Sequence, residues 1–132
     1  MENKIHVTFL RHARSRADDE NVHEGRYDSP LTDVGRTQVQ ARAQDFLERK
    51  FQFDRIVAST LQRAHETAKI IGQALNTPVE TDPDWMELDN GPLAGISREA
   101  ALEQYPVPSF RNPYEPFCGT GESDWEIYCR SA

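Results

Sequence analysis

The fold is decided by the stretch Ile5-His6-Val7-Thr8-Phe9-Leu10-Arg11-His12-Ala13-Arg14-Ser15. Its apolar part predicts a short buried strand from about Ile5 to Arg11. The chain leaves this strand on Arg11 and His12, where the small Ala13 allows a tight exit. Ligands collect at the carboxyl ends of the strands in parallel α/β sheets, and a histidine at such a place can act as a nucleophile or a base. The alternative is that Arg11 and His12 only cap the strand and meet solvent.

The rest of the chain alternates between apolar runs and amphipathic stretches. A polar loop is expected from Ala13 to Leu31, and Thr32 is the expected N-cap of the helix that follows. Further strands are predicted at Asp54 to Ser59 and Pro78 to Thr81, and helices at Asp33 to Lys50, Leu61 to Leu75, Ser97 to Gln104 and Glu122 to Cys129. This alternation is typical of an α/β fold with a mainly parallel sheet.

Length and net charge limit the possible classes of protein. The chain has the length of one domain, residues 1–132. Its net charge of -7 argues against nucleic acid or an anionic membrane as a partner. No apolar run approaches the ~20 residues of a membrane span, and the N-terminus has no signal-peptide pattern. The two cysteines, Cys118 and Cys129, lack CxxC spacing and are expected as reduced thiols in a cytoplasmic protein. We expect no metal and no cofactor, since no residue cluster has the spacing of metal ligands.

Four later segments complete a pattern that begins with Arg11-His12-Ala13. They are Asp28-Ser29-Pro30-Leu31-Thr32-Asp33-Val34-Gly35, Ala58-Ser59-Thr60-Leu61-Gln62-Arg63-Ala64-His65-Glu66-Thr67-Ala68, Glu87-Leu88-Asp89-Asn90-Gly91-Pro92-Leu93-Ala94-Gly95 and Gly121-Glu122-Ser123. In this order the five segments resemble the motifs of the histidine phosphatase superfamily, the phosphoglycerate-mutase-like enzymes. The resemblance implies a three-layer α/β/α domain with a mainly parallel sheet and a reaction on a small phosphorylated metabolite.

A nucleophile and a phosphate clamp are the first requirements of such chemistry, because phosphoryl transfer depends on positioning and on neutralising the equatorial oxygens. His12 is our candidate nucleophile, since imidazole is neutral near pH 7 and forms a labile phosphoramidate, and the resemblance points to the same residue. Arg11 and Arg63 are the candidate clamp, with Arg63 near a helix N-terminus that favours anions. Further candidate phosphate-binding side chains are those of Ser15, Asn21 and Arg26.

Glu87 is the candidate general acid. The leaving alkoxide needs a proton, and a carboxyl near bound phosphate and the apolar Trp85 and Met86 is suited to hold one. The resemblance points to Glu87 as well. Nearby competitors for this role are Glu80, Asp89 and Asp84.

One departure from the family pattern concerns a second histidine. The resemblance implies such a residue on a late strand well past Gly121-Glu122-Ser123, yet the given sequence ends at Ala132, and no histidine of the chain lies in a segment like that motif. The same late part would supply a strand beside strand one. We therefore expect a domain without its last strand or strands, in a fragment or a truncated relative. We also expect self-association through the unpaired sheet edge.

Three functions stay open on this basis. The first is a phosphatase that hydrolyses a small phosphomonoester through phospho-His12. The second is a phosphoglycerate-mutase type of enzyme, an isomerase that returns the phosphoryl group to another hydroxyl. The third is a catalytically weak phosphate-binding or assembly module, because the second histidine is absent. The short loops favour the phosphatase, and the sequence does not name its substrate.

Overall fold

The computed structural model describes residues 4–132, in which five α-helices and two strands are found. In chain order they are α1 (Arg16–Glu20), α2 (Asp33–Glu48), β1 (Ile56–Ala58), α3 (Gln62–Leu75), β2 (Val79–Thr81), α4 (Arg98–Gln104) and α5 (Asp124–Ser131). Single turns of 3-10 helix lie at Pro83–Trp85, Gly91–Leu93 and Phe117–Gly119. In this part of the chain, no helix is both long and apolar enough to cross a membrane.

The two strands pair in parallel, and α3 connects them. Ile56 lies opposite Val79 and Ala58 opposite Thr81. Neighbouring parallel strands need a crossover connection between them, and α3 provides this connection in the usual βαβ arrangement. The predicted α/β class with parallel pairing is confirmed, although the two strands are shorter than the apolar runs that contain them.

Side-chain caps set where the longer helices begin. Thr32 Oγ1 accepts from the Gly35 amide at 3.0 Å at the start of α2. Ser97 and Ser123 cap α4 and α5 in the same way, each accepting from an amide three residues ahead. These hydroxyls satisfy amides that the first helical turn leaves unpaired. Because caps are local in sequence, these helices begin within two residues of their predicted starts.

The core lies between α2 and α3. Leu31, Val39, Ala43, Phe46 and Ile71 form one buried cluster. Rings on the chain after α2 extend this core, because Phe46 lies 5.1 Å from Phe51 and 5.6 Å from Phe53 between ring centroids. Aromatic pairs at these separations add to the stabilisation from buried apolar area. The core thus fixes α3, the helix that carries Arg63, against the rest of the domain.

The predicted first strand, Ile5 to Arg11, is wrong as a buried strand. Residues 4–14 form no strand, and Ile5, Val7 and Phe9 are 86%, 66% and 77% exposed. An apolar strand in a parallel sheet is buried only when strands and helices flank it on both sides. Within residues 4–132 the two strands pair with each other, which leaves this segment without a strand partner.

The expected polar loop from Ala13 to Leu31 contains a helix that the sequence prediction missed. Ser15 and Asp18 form a reciprocal capping box at the start of α1, in which each side chain bonds the other residue's backbone amide. The five-residue helix then ends at Asn21 in the left-handed conformation. The spacing Ser-x-x-Asp was therefore the local sequence pattern of this helix.

A glycine in α2 allows its close approach to the segment after His12. A Cβ at Gly35 would lie 2.1 Å from the carbonyl oxygen of Arg14. That carbonyl also accepts from the backbone amide of Thr32 at 3.1 Å. The start of α2 is thus docked on the backbone two residues beyond His12.

We predict that Gly35→Ala destabilises the protein, although alanine favours helix more than glycine does. The clash with the Arg14 carbonyl forces a backbone shift that costs about 1–3 kcal/mol. Urea unfolding measures this cost, with Gln40→Ala on the exposed face of the same helix as the control. A Gly35→Ala protein as stable as the control variant would contradict the close approach.

Candidate active site

A cavity of about 660 Å³ lies where the 6–12 segment, β1 and the first turns of α3 meet. Residues 84–87 close another part of its wall. Four side chains predicted for the site line it: Arg11, His12, Arg63 and Glu87. The folded chain therefore brings the candidate nucleophile, both clamp arginines and the candidate acid to one cavity, from segments as far apart in sequence as residues 11 and 87.

His12 is held at both ring nitrogens. Its Nδ1 lies 2.8 Å from the carbonyl oxygen of Ala13, which can only accept, so Nδ1 carries the proton of the neutral ring. Nε2 is then unprotonated, and its lone pair accepts from Arg63 Nε at 3.2 Å. The side chain is 11% exposed. This arrangement fixes the ring with Nε2 as its unprotonated nitrogen.

Arg63 is the most buried charged side chain of the site, with 1% of the residue exposed. Its guanidinium donates to the carbonyl oxygens of Tyr27 at 3.1 Å and Gly25 at 3.0 Å, besides its bond to His12. Of the five N–H groups of an arginine, these bonds leave two for a further acceptor. Arg63 therefore orients His12 and fixes the turn at residues 25–27.

The N-terminus of α3, where Arg63 lies, is capped from outside the helix. The amide of Gln62 donates to Asp28 Oδ1 at 2.7 Å, and the Gln62 side chain donates to the Asp28 carbonyl at 3.2 Å. Leu61, at the N-cap position, has no side-chain acceptor of its own. The Asp28 segment thus supplies the missing cap and holds the turn that binds Arg63.

Glu24 completes the polar cluster. Its Oε2 lies 3.4 Å from His12 Nε2, and its Oε1 lies 3.5 Å from Arg63 Nε. The hydroxyls of Ser15 and Ser29 donate to the same carboxylate. Burial by itself would raise the pKa of Glu24, but its contacts with His12 and Ser15 and the charge of Arg63 together lower this pKa to about 2. Glu24 is therefore ionised at neutral pH.

Glu24 was not among the residues predicted from the sequence. It stands twelve positions after His12 and meets it only because α1 and a turn at Gly25 fold the chain back. Gly25 has a φ of +52°, and a Cβ there would overlap the Asn90 side chain. A carboxylate directly before a glycine in a polar loop was the only local sign of this turn.

Arg11 and Glu87 are more accessible than His12 and Arg63. Both residues are exposed on the wall of the cavity. Glu87 Oε1 accepts from the amide of Leu88 at 3.0 Å. Within residues 4–132, no group of three His, Cys, Asp or Glu side chains could hold a metal ion.

The other three predicted phosphate-binding residues do not line this cavity. Ser15 is fully buried, where its hydroxyl caps α1 and contacts Glu24. Asn21 is the C-cap of α1, and its carbonyl accepts from the amide of Arg98 at 3.3 Å. Arg26 contacts Met86 and Glu122 and lines a separate pocket of about 200 Å³. The polar groups of these three residues take part in helix caps and ion pairs. The sequence pattern does not distinguish such roles from ligand binding.

Comparison with known proteins yields both sequence relatives and solved structures. Phosphoserine phosphatase 1 of Hydrogenobacter thermophilus is 32% identical over 130 residues, which is 96% of this chain and 60% of that protein. A 2,3-bisphosphoglycerate-dependent phosphoglycerate mutase of Nitrobacter hamburgensis is 29% identical over 102 residues, 75% of this chain and 49% of that protein. The structure of mycobacterial glucosyl-3-phosphoglycerate phosphatase Rv2419c with VO3 superposes with a TM-score of 0.80 at 28% identity, over 92% of this chain and 58% of that one.

The chain spans between 27% and 60% of the length of the curated relatives it matches. Within that span the similarity is continuous, since the family model matches residues 7–132. The match includes the segments of His12, Arg63 and Glu87 that line the cavity. The ordered motifs, the α/β fold and this match agree, and the chain belongs to the histidine phosphatase superfamily (branch 1).

Proposed function

We propose that this chain is a phosphatase that hydrolyses a small phosphomonoester through a phosphohistidine intermediate on His12. One observation carries the proposal: His12 lines a cavity with Nε2 as its unprotonated nitrogen, while the Ala13 carbonyl and Arg63 fix the ring. A phosphatase and a phosphatase bound to VO3 among the similar proteins support the same reaction class.

In the first step, the lone pair of His12 Nε2 gives up its hydrogen bond from Arg63 Nε and attacks the phosphorus atom, and the bond to the ester oxygen breaks. Arg11 and the two remaining N–H groups of Arg63 neutralise the equatorial oxygens. Glu87 gives its proton to the leaving oxygen, so an alcohol departs. The Ala13 carbonyl holds Nδ1–H throughout, which stabilises the positive charge that the ring gains on phosphorylation.

In the second step, water attacks the phosphorus atom of phospho-His12. Glu87, now a carboxylate, accepts a proton from this water, and the P–N bond breaks. The electron pair returns to Nε2, which regenerates the neutral ring and releases orthophosphate. Each residue ends the cycle in its starting protonation state.

Glu24 has a different role in the proposal, as an anion that phosphate replaces. Its carboxylate lies beside His12 Nε2 and Arg63 Nε, in the place that phosphate takes in the bound state. It thereby keeps a buried arginine paired while the cavity holds no substrate. Its negative charge also opposes a phosphate dianion placed at Nε2.

A mutase is the second candidate, because one similar protein is a phosphoglycerate mutase. Both reactions share the first step and differ in whether water or a second hydroxyl receives the phosphoryl group. Incubation with 3-phosphoglycerate separates them: free orthophosphate supports the phosphatase, and an isomeric phosphoglycerate supports the mutase.

We predict that labelled substrate transfers phosphate to His12. The label survives an alkaline quench and is lost in acid, since phosphohistidine is acid-labile. His12→Ala abolishes labelling, whereas His65→Ala in α3 keeps it and serves as the control. A label that persists in His12→Ala would refute the assignment of the nucleophile.

For the acid, we predict that Glu87→Gln lowers kcat/KM for an alkyl phosphate about 10²-fold or more, which is the usual contribution of a positioned general acid. The kcat/KM for p-nitrophenyl phosphate changes little, because its good leaving group needs no proton and kcat/KM reports the first step alone. The second step, in which Glu87 acts as the base, is common to both esters and affects kcat. Glu80→Gln is the matched control among the neighbouring acids. An equal fall of kcat/KM for both esters in Glu87→Gln would mean that Glu87 does not donate the proton.

For Glu24, we predict that Glu24→Gln binds orthophosphate about tenfold more tightly, a gain of about 1.4 kcal/mol. The pKa of about 2 keeps the wild-type carboxylate charged from pH 5 to 8, so titration of Glu24 does not change the gain over that range. Isothermal titration measures it, and Glu48→Gln at the exposed end of α2 is the control. Weaker binding by Glu24→Gln would show that the carboxylate assists phosphate and does not compete with it.

A further inference from the structure

An ion pair outside the cavity holds the segment that carries Glu87. Arg130 of α5 donates through Nη1 to the carbonyl of Asp84 at 2.6 Å and through Nη2 to the carbonyl of Glu87 at 3.1 Å. The same guanidinium forms a two-point pair with Glu122, at 2.5 and 2.9 Å. Glu122 in turn bonds both backbone groups of Asp89, through its side chain at 3.1 Å and its own amide at 2.7 Å.

Both partners of this pair are largely shielded from water. The side chains of Arg130 and Glu122 are 17% and 12% exposed. The hydrogen bond with Arg130 lowers the pKa of Glu122, and the hydrogen bond with Glu122 raises the pKa of Arg130, so both stay charged at neutral pH. Shielded two-point pairs fix geometry better than exposed pairs, which are screened and mobile.

Glu87 itself has little else to fix it. The residue is exposed, and its carboxylate contacts the amide of its own neighbour Leu88. Its direction into the cavity therefore depends on the backbone of residues 84–89, which the pair contacts at both ends. A general acid must come within about 2.6–3.2 Å of the leaving oxygen. A displacement of about 1 Å at such a group costs on the order of 10²-fold in rate.

We propose that the Arg130–Glu122 ion pair is the positioning device of the general acid, which makes Arg130 and Glu122 positioning residues for the proposed phosphatase reaction. This inference rests on the proposed role of Glu87. Arg130 donates to the carbonyls of Asp84 and Glu87, and its partner Glu122 bonds the backbone of Asp89 at the other end of the same segment. Neither side chain contacts the phosphate site around His12.

The test compares an alkyl phosphate with p-nitrophenyl phosphate in Arg130→Gln, Arg130→Lys and Glu122→Gln. Arg130→Gln is expected to lower kcat/KM for the alkyl ester about tenfold or more and to leave the aryl ester and orthophosphate binding nearly unchanged. Arg130→Lys retains the charge, but a single ammonium group cannot donate to both carbonyls and the carboxylate in the same geometry. We therefore expect it to restore little of the kcat/KM for the alkyl ester. Arg111→Gln is the matched control, because Arg111 pairs with Asp124 on the same helix and touches no residue from 84 to 89 among its described contacts.

A second readout needs no activity. Amide hydrogen exchange of Leu88 and Asp89 is expected to speed up at least tenfold in Arg130→Gln and Glu122→Gln, and to stay unchanged in Arg111→Gln. Melting curves confirm that each variant is folded at the assay temperature. Should Arg130→Gln unfold, Glu122→Gln provides the same comparison with the arginine in place.

The outcomes separate the two proposals. If Glu87→Gln slows the alkyl ester selectively but Arg130→Gln behaves like Arg111→Gln in both readouts, the positioning device is refuted and the acid stands. If Glu87→Gln slows both esters equally, the acid assignment fails and this inference fails with it. Selective loss in Arg130→Gln that disappears in the Glu87→Gln background supports the inference, since the two changes then act through one group.

Discussion

The buried guanidinium of Arg63 is the constraint on which the rest of this site depends. A charge with 1% exposure is tolerated only when acceptors surround it, and here two carbonyls, an imidazole and a carboxylate do so. Those acceptors come from the turn at residues 25–27, from His12 and from Glu24. The hydrogen bonds of Arg63 therefore require three parts of the chain to meet. These are His12, residues 24–27 of the polar loop and the first turn of α3.

That requirement also explains how the fold positions the imidazole of His12. The core between α2 and α3 fixes the helix of Arg63, and Asp28 caps that helix from the polar loop. Gly35 lets α2 dock on the backbone just beyond His12. The imidazole is then held between the Ala13 carbonyl and Arg63, so packing far from the cavity determines which ring nitrogen is unprotonated.

The features that the sequence predicts correctly depend on contacts between residues close together in the chain. Thr32, Ser97 and Ser123 cap their helices through neighbours three residues away, and the helices were predicted close to their observed starts. The 5–11 segment was misjudged because burial of a strand depends on partners elsewhere in the chain. The sequence pattern gives no site role to Glu24, Arg130 or Glu122, because their contacts join loops and helix ends that no periodicity links. It predicts a phosphate-binding role for Ser15, whereas the structure places this hydroxyl in a capping box and against Glu24.

The protonation of the His12 ring decides whether Nε2 can attack phosphorus, and nitrogen-15 NMR of the imidazole measures it directly at a pH where the ring is neutral. The hydrogen bond from Nδ1 to the Ala13 carbonyl and the bond from Arg63 to Nε2 predict the Nδ1–H form, with Nε2 unprotonated and coupled to no directly bonded hydrogen. In Arg63→Ala this preference should weaken, because Nε2 loses its donor. A wild-type ring that carries its proton on Nε2 would contradict the proposal that this nitrogen attacks phosphorus.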